Sequence, residues 1–319
     1  MQVHSYTLPN EPLGAYRTTS SLLSSLYRDH GFDVLIDFEQ ALTWRKAASA
    51  EAVTRFSKER HLRLVYYFGN HYPWLVPKME TNPRVTWFFL KRLAQQADMV
   101  VTASSVLARS VTEKVGVTRR GIAVVPFGVD FKEYSPCAST ERSGVIYVGR
   151  VIKHKGLDDL VRAASVLFGR GFHESFTVVG PRGVLWDDTP SDYFGSLVTK
   201  VESLGLRDKI TFTGAIPRSE VIRRMRKARV FAFPSHAEGF GVALIQAMAS
   251  GLVPAVYDFE PVSEVVGRAG FRAKPFEAES LAGAILQAHE SKAGDAESLE
   301  RAQRFSISRV ADEFLGAVL

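Results

Sequence analysis

The sequence predicts an α/β protein made of two parallel, doubly wound sheets. Three observations carry this. Short apolar runs alternate with stretches of helical spacing along the whole chain. Glycine-bearing turns follow several of those runs. One polar, aperiodic stretch, residues 131–143 with Pro136, separates two such series and reads as a linker. A chain of 319 residues is long enough for two domains of ordinary size. They are expected at residues 1–135 and 136–319.

In the first domain, residues 2–8 read as a strand, 9–14 as a loop holding Gly14, and 18–28 as a helix. Apolar runs at 32–37, 62–68, 99–102 and 122–125 read as buried strands. Helical spacing covers 44–60, 84–97 and 106–114. In 44–60 it places Ala47, Ala48, Ala52 and Phe56 on one side. Trp87 and Phe88 of 84–97, with Tyr72 and Trp74, read as core residues, or as an aromatic face for an acceptor or a membrane.

The second domain opens with a strand at 144–148, then Gly149-Arg150-Val151-Ile152-Lys153-His154-Lys155-Gly156, then a helix over 157–168. A strand at 175–179 runs into Gly180-Pro181-Arg182-Gly183. A helix over 192–204 and a strand over 210–213 lead to the turn Gly214-Ala215-Ile216-Pro217. The helix 219–228 carries Arg223, Arg224, Arg226 and Lys227 and reads as a solvated face. Val230 to Phe233 is a buried run that Pro234 ends. After Gly239-Phe240-Gly241 the pattern turns helical from Val242 to a stop at Gly251, and 253–257 is again strand. Strand, glycine turn, helix, strand is a βαβ unit with a right-handed crossover. Helices at 279–290 and 307–318 follow.

At 46% hydrophobic and 23% charged, the composition is that of a soluble globular protein. No run approaches eighteen apolar residues, so no transmembrane helix is expected, and residues 1–7 lack the features of a signal peptide. Cys137 is the single cysteine, which excludes an intrachain disulfide or a cysteine zinc site and points to a reducing, cytoplasmic location. No His/Cys cluster or Asp-x-Asp at a strand end calls for a bound metal. Residues 1–135 hold 17 Lys and Arg against 12 Asp and Glu, and thus most of the net charge of +6. Such a half can attract an anionic membrane surface or a phosphorylated acceptor, or be an ordinary solvated surface. Nucleic acid is not an expected partner, since no basic run or binding motif of that kind is present.

Arg150 and Lys155 follow a strand and flank a helix start. Guanidinium and ammonium groups so placed suit a diphosphate, although two surface cations would look the same. Glu238 can accept hydrogen bonds from sugar hydroxyls, or can simply favour the start of the next helix. Gly239 and Gly241 let the backbone approach a ligand, and the free N–H groups from Val242 favour an anion. Gln246 offers one amide acceptor and a donor pair, or is a plain polar helix position. His71, beside Tyr72 and Trp74 after the strand at 62–68, is either functional or structural.

Pro234-Ser235 with Glu238-Gly239-Phe240-Gly241 and Ala247-Met248-Ala249-Ser250-Gly251 resembles the donor signature of family 4 retaining glycosyltransferases. Gly149-Arg150 with Lys155-Gly156 extends the resemblance, as do Ala97-Asp98-Met99-Val100-Val101-Thr102-Ala103-Ser104 and Pro126-Phe127-Gly128-Val129-Asp130. It implies a GT-B architecture: two Rossmann-like domains facing a cleft, the first binding acceptor and the second the donor. The first is expected to be shortened, because a strand–helix portion before Phe32 is missing. It implies retaining, metal-independent hexosyl transfer from a UDP- or GDP-linked sugar to an unidentified glycan, lipid or small molecule, without a bound cofactor. Residue by residue, Arg150 and Lys155 would stabilise the departing nucleoside diphosphate. Glu238 would meet the sugar and His71 would lie near it. Gly14 would face the phosphates, and Gly149, Gly180 and Ile216 would line the donor site. The backbone of Gly239, Phe240, Gly241 and Val242 would meet sugar and phosphate. The signature has a second Glu, on the ribose, where this chain has Gln246.

Two other readings stay open. Gln246 and the short first domain fit a GT-B-shaped binding or partner subunit without turnover. A different two-Rossmann enzyme, such as a sugar-nucleotide epimerase or a glycan phosphorylase, shares the strand–helix order.

Overall fold

The computed structural model describes residues 12–38, 44–69, 83–116, 121–136, 142–182, 192–292 and 294–319. The expected strand at 2–8, His71, Tyr72, Trp74 and Cys137 lie outside the described residues. The chain divides into two units, Met1–Val125 with Phe314–Leu319, and Pro126–Glu313.

The first unit orders α1 (Pro12–His30), β1 (Val34–Phe38), α2 (Trp44–Arg60), β2 (Arg63–Phe68), α3 (Pro83–Gln96), β3 (Met99–Thr102), α4 (Ser105–Lys114) and β4 (Ile122–Val124). Its strands pair in parallel in chain order, β1-β2-β3-β4, with Val34 opposite Arg63, Val65 opposite Met99 and Val100 opposite Ile122. Leu64, Tyr66 and Phe68 of β2 pack with Phe56, Leu90 and Leu93 in one core. The Tyr66 hydroxyl lies 2.7 Å from that of Thr54.

The structure departs from expectation at Gly14 and Phe88. Gly14 is not in a loop: α1 begins at Pro12, because proline at a first helical position sacrifices no hydrogen bond. Gly14 therefore lies in the first turn of a helix. Phe88 is not core: it is 62% exposed, while Trp87 packs partly against the core.

The second unit orders α5 (Phe131–Tyr134), β5 (Val145–Val148), α6 (Leu157–Gly169), β6 (Phe176–Val179), α7 (Tyr193–Ser203), β7 (Ile210–Gly214), α8 (Arg218–Lys227), β8 (Val230–Phe233), α9 (Val242–Ala249), β9 (Val253–Tyr257), α10 (Val262–Val266), β10 (Phe271–Ala273), α11 (Ala278–Glu290), α12 (Gly294–Gln303) and the start of α13 (Ile307–Val318), whose residues from Phe314 count with the first unit. The expected linker thus contains a helix. Asp130 caps it by accepting from the Lys132 N–H at 2.9 Å. Tyr134 is buried, and Glu133 pairs with Arg218 of α8. The basic face of α8 likewise has partners in its own chain: Arg223 and Arg224 both bond Glu220, and Arg226 donates to the Glu133 carbonyl at 2.8 Å.

The second sheet is parallel throughout, in the order β10-β9-β8-β5-β6-β7. Numbered within the unit this is 6-5-4-1-2-3, the Rossmann order, which reverses direction between β5 and β8. Val145 of β5 stands opposite both Phe176 and Val230. All residues of β8 and β9 are buried, as parallel strands covered on both faces must be. In such a sheet ligands bind beyond the carboxyl ends of the strands at the reversal.

Candidate functional site

The loops that leave β5 and β8 meet at that reversal. After β5, the Gly149 N–H donates to the Val179 carbonyl at 2.9 Å, and the Gly180 N–H donates to the Gly214 carbonyl at 3.0 Å. The three loop starts are thereby laced together. Gly180 has φ +146°, and a Cβ there would stand 1.9 Å from the Gly149 carbonyl oxygen, so no larger residue fits. The Tyr147 hydroxyl donates to the Arg150 carbonyl at 2.9 Å and fixes that main chain. Burial, then the negative charge of Glu238, holds the Tyr147 phenol well above its ordinary range, so it stays a neutral donor. Arg150 is half-buried at this turn.

The β8 loop closes over the other side. Gly156, at φ +70°, packs so near that a Cβ would lie 1.9 Å from the Pro234 carbonyl oxygen. The His236 N–H donates to the His154 carbonyl at 2.7 Å. Across this seam Lys155 Nζ lies 2.5 Å from Glu238 Oε1, with 15% and 11% of the two side chains exposed. Ser235 Oγ donates to the same oxygen at 2.8 Å. The expected diphosphate cation and the expected sugar carboxylate are thus brought together, and both hydrogen bonds converge on one carboxylate oxygen.

Gly241 begins α9 in the left-handed conformation with no side chain capping it. The first N–H groups of a helix have no carbonyl of their own to bond, so they suit an anion. Val242 is 37% exposed at this end. Phe240 points the other way: its ring is buried edge-on to Phe127 and Phe305, each with centroids 5.7 Å away. Only its backbone is available to a ligand. Gln246 is half-buried one turn further along α9. Ile216 is half-buried in the turn after β7, at the same carboxyl edge of the sheet.

One group was not legible from sequence. Asp159, in the first turn of α6, is buried and accepts on Oδ2 from the Tyr257 hydroxyl at 2.9 Å and from His236 Nε2 at 2.8 Å. Neither histidine nor aspartate stands in a recognisable spacing. Ser235 and Tyr147 likewise carry no sequence signal of a role, although each bonds a residue of the expected site.

The description "Glycosyl transferases group 1" matches residues 137–306, and "Glycosyltransferase Family 4" matches residues 2–133. A mannosylfructose-phosphate synthase of Agrobacterium fabrum is 26% identical over 275 residues, which are 78% of this chain and 60% of that protein. A D-inositol 3-phosphate glycosyltransferase of Nocardia farcinica is 30% identical over 210 residues, covering 61% and 46%. The chain spans about half to two thirds of the length of the first curated relatives it matches. Among solved structures, Anabaena HepE in complex with UDP superposes with a TM-score of 0.76 at 19% identity, covering 94% of this chain and 81% of that one. Sucrose-phosphate synthase from Thermosynechococcus elongatus gives 0.74 at 18%, covering 97% and 79%. These neighbours carry the GT-B fold, as the two parallel-sheet units do. With the first match alone spanning more than half of its residues, and the site loops inside that span, the chain belongs to the glycosyl transferases group 1 family.

Proposed function

We propose that the chain transfers a hexosyl group from a nucleoside-diphosphate sugar to an acceptor with retention of anomeric configuration. The observation that supports this best is the meeting of Lys155 with Glu238 at the reversal of a Rossmann-ordered sheet, where the β5 loop that carries Arg150 also begins. In this reading the diphosphate lies between the β5 loop and the start of α9. Arg150 binds it through two N–H groups and Lys155 as a point charge. As the sugar–oxygen bond breaks, negative charge grows on the departing phosphate, and prealigned cations in a partly dry site stabilise it. The acceptor attacks from the face the diphosphate leaves, which retains the configuration. Glu238 holds sugar hydroxyls through its second oxygen, and Gln246 bonds the ribose. A solved neighbour bound to UDP-glucose supports a UDP-linked donor. The acceptor is a glycan, a lipid or a small molecule.

The test is release of nucleoside diphosphate from a panel of UDP- and GDP-sugars, with and without pooled acceptors. Slow release without acceptor is expected for one donor. Arg150→Ala and Lys155→Ala should each lower it roughly ten- to a hundred-fold, since a charged hydrogen bond contributes about 1.5–3 kcal/mol. Wild-type rates in both variants, or no release with any donor, would overturn the proposal.

A further inference from the structure

Glu238 reaches Lys155 only if the segment from Pro234 to Gly241 keeps one course, and the pair itself is a weak ruler for that. Lysine has a flexible stem that follows its partner. The rigid tie lies two residues earlier. His236 Nε2 is 2.8 Å from Asp159 Oδ2, and a buried carboxylate can only accept, so the ring donates. Tyr257, fully buried at the end of β9, donates to the same oxygen at 2.9 Å, and Arg162 stands 3.5 Å from the other. Asp159 sits in the first turn of α6, the helix that begins one residue after Gly156. The β8 loop, the β5 loop and β9 therefore share one anchor point. Outside it, Phe276 lies edge-on to the His236 ring with centroids 4.7 Å apart. Phe276 has φ +63° and is 62% exposed. A bulky side chain is rare in that backbone region, so the ring is held where solvent and strain both oppose it. The contact it makes there covers part of the His236 ring, whose side chain remains 31% exposed.

We propose that Asp159, His236 and Tyr257 form a positioning device that sets the Lys155–Glu238 pair, with His236 as its link to the β8 loop. The catalytic consequence rests on the function proposed above; the structural consequence does not. Two arms keep them apart. In the first, the whole chain is labelled with limiting acetic anhydride, and acetylation at Lys155 is read by peptide mass spectrometry against exposed Lys209. His236→Ala should raise labelling of Lys155 at least about five-fold, the scale of one lost hydrogen bond, while His236→Gln, which keeps a donor at the same reach, stays close to wild type. Unchanged labelling in His236→Ala, an equal rise at Lys209, or no rescue by His236→Gln would overturn the proposal. In the second arm, donor turnover should fall at least about ten-fold in His236→Ala and recover in His236→Gln. Full turnover in His236→Ala would overturn the catalytic consequence. A wild type without turnover would refute the proposed function and leave the labelling arm to decide the positioning.

Discussion

Lys155 Nζ stands 2.5 Å from Glu238 Oε1, so the cation offered to the diphosphate and the carboxylate offered to the sugar hold each other. Both are mostly withdrawn from water, which strengthens their attraction and makes a lone survivor costly. Lys155→Met and Glu238→Gln should each lower stability by roughly 1–3 kcal/mol. The double variant should lose less than the sum, with a coupling of about 1 kcal/mol or more. Urea melts of the four proteins measure this, and additive losses would show that the pair contributes nothing jointly.

Gln246→Glu should tighten UDP binding. An amide offers ribose one acceptor, whereas a carboxylate can take both cis-hydroxyls. The gain is one charge-assisted bond, about 1 kcal/mol or somewhat more, hence several-fold in affinity. The added charge also repels the diphosphate, but Arg150 and Lys155 offset that. Titration calorimetry decides: if neither Gln246→Glu nor Gln246→Ala changes the affinity, Gln246 does not touch the nucleotide.

Gly180→Ala should be far worse than a methyl group suggests. The new carbon would fall 1.9 Å from the Gly149 carbonyl, in a backbone region that L side chains avoid. The β5 and β6 loops would have to part, at a cost of about 2 kcal/mol or more. A depressed melting temperature together with lost UDP binding is the expected result; a wild-type melt would show that the loops separate freely.

Glu220 supplies a pH test. Hydrogen bonds from Arg223 and Arg224 pull its carboxyl from the ordinary 4.5 down to about 2. A carboxyl depressed in the folded state contributes stability that is complete above pH 4.5 and lost as pH falls towards 2. The wild type should therefore lose more stability than Glu220→Gln across that window, and added salt should shrink the difference because solvent reaches the half-buried group. Parallel acid melts for the two proteins would remove Glu220 from the account.

Contact with anionic membranes is proposed for the first half of the chain, on its charge excess and on Phe88, 62% exposed on α3. Flotation with vesicles containing phosphatidylserine should show weak, salt-sensitive binding that Phe88→Ser lowers. Equal binding to neutral vesicles would refute the electrostatic part.

Much of the second sheet was legible because its central strands are buried on both faces and read as unbroken apolar runs; β8 and β9 are the clearest. Gly149, Gly156, Gly239 and Gly241 marked the loops between strand and helix. What escaped shows where local patterns stop. β10 has three residues, one of them Arg272, and α12 buries Ser298 and Ala302, so it has no apolar stripe to find. Asp159 reads as an ordinary acidic residue of a helix start. Its burial comes from His236 and Tyr257, 77 and 98 positions away. Phe276 reads as a loop residue, and only its backbone angle makes it unusual.

The reversal of strand order between β5 and β8 also has a consequence during synthesis. Lys155 and Glu238 are 83 positions apart, and β6 and β7 are made between them. Those two strands build the sheet outward on one side of β5, whereas β8 must come back to its other, free side. A nascent chain that has delivered both cations has therefore not yet delivered the carboxylate, and the cradle is half a wall until the ribosome has passed α9. The two halves of the site are neighbours in space and strangers in time.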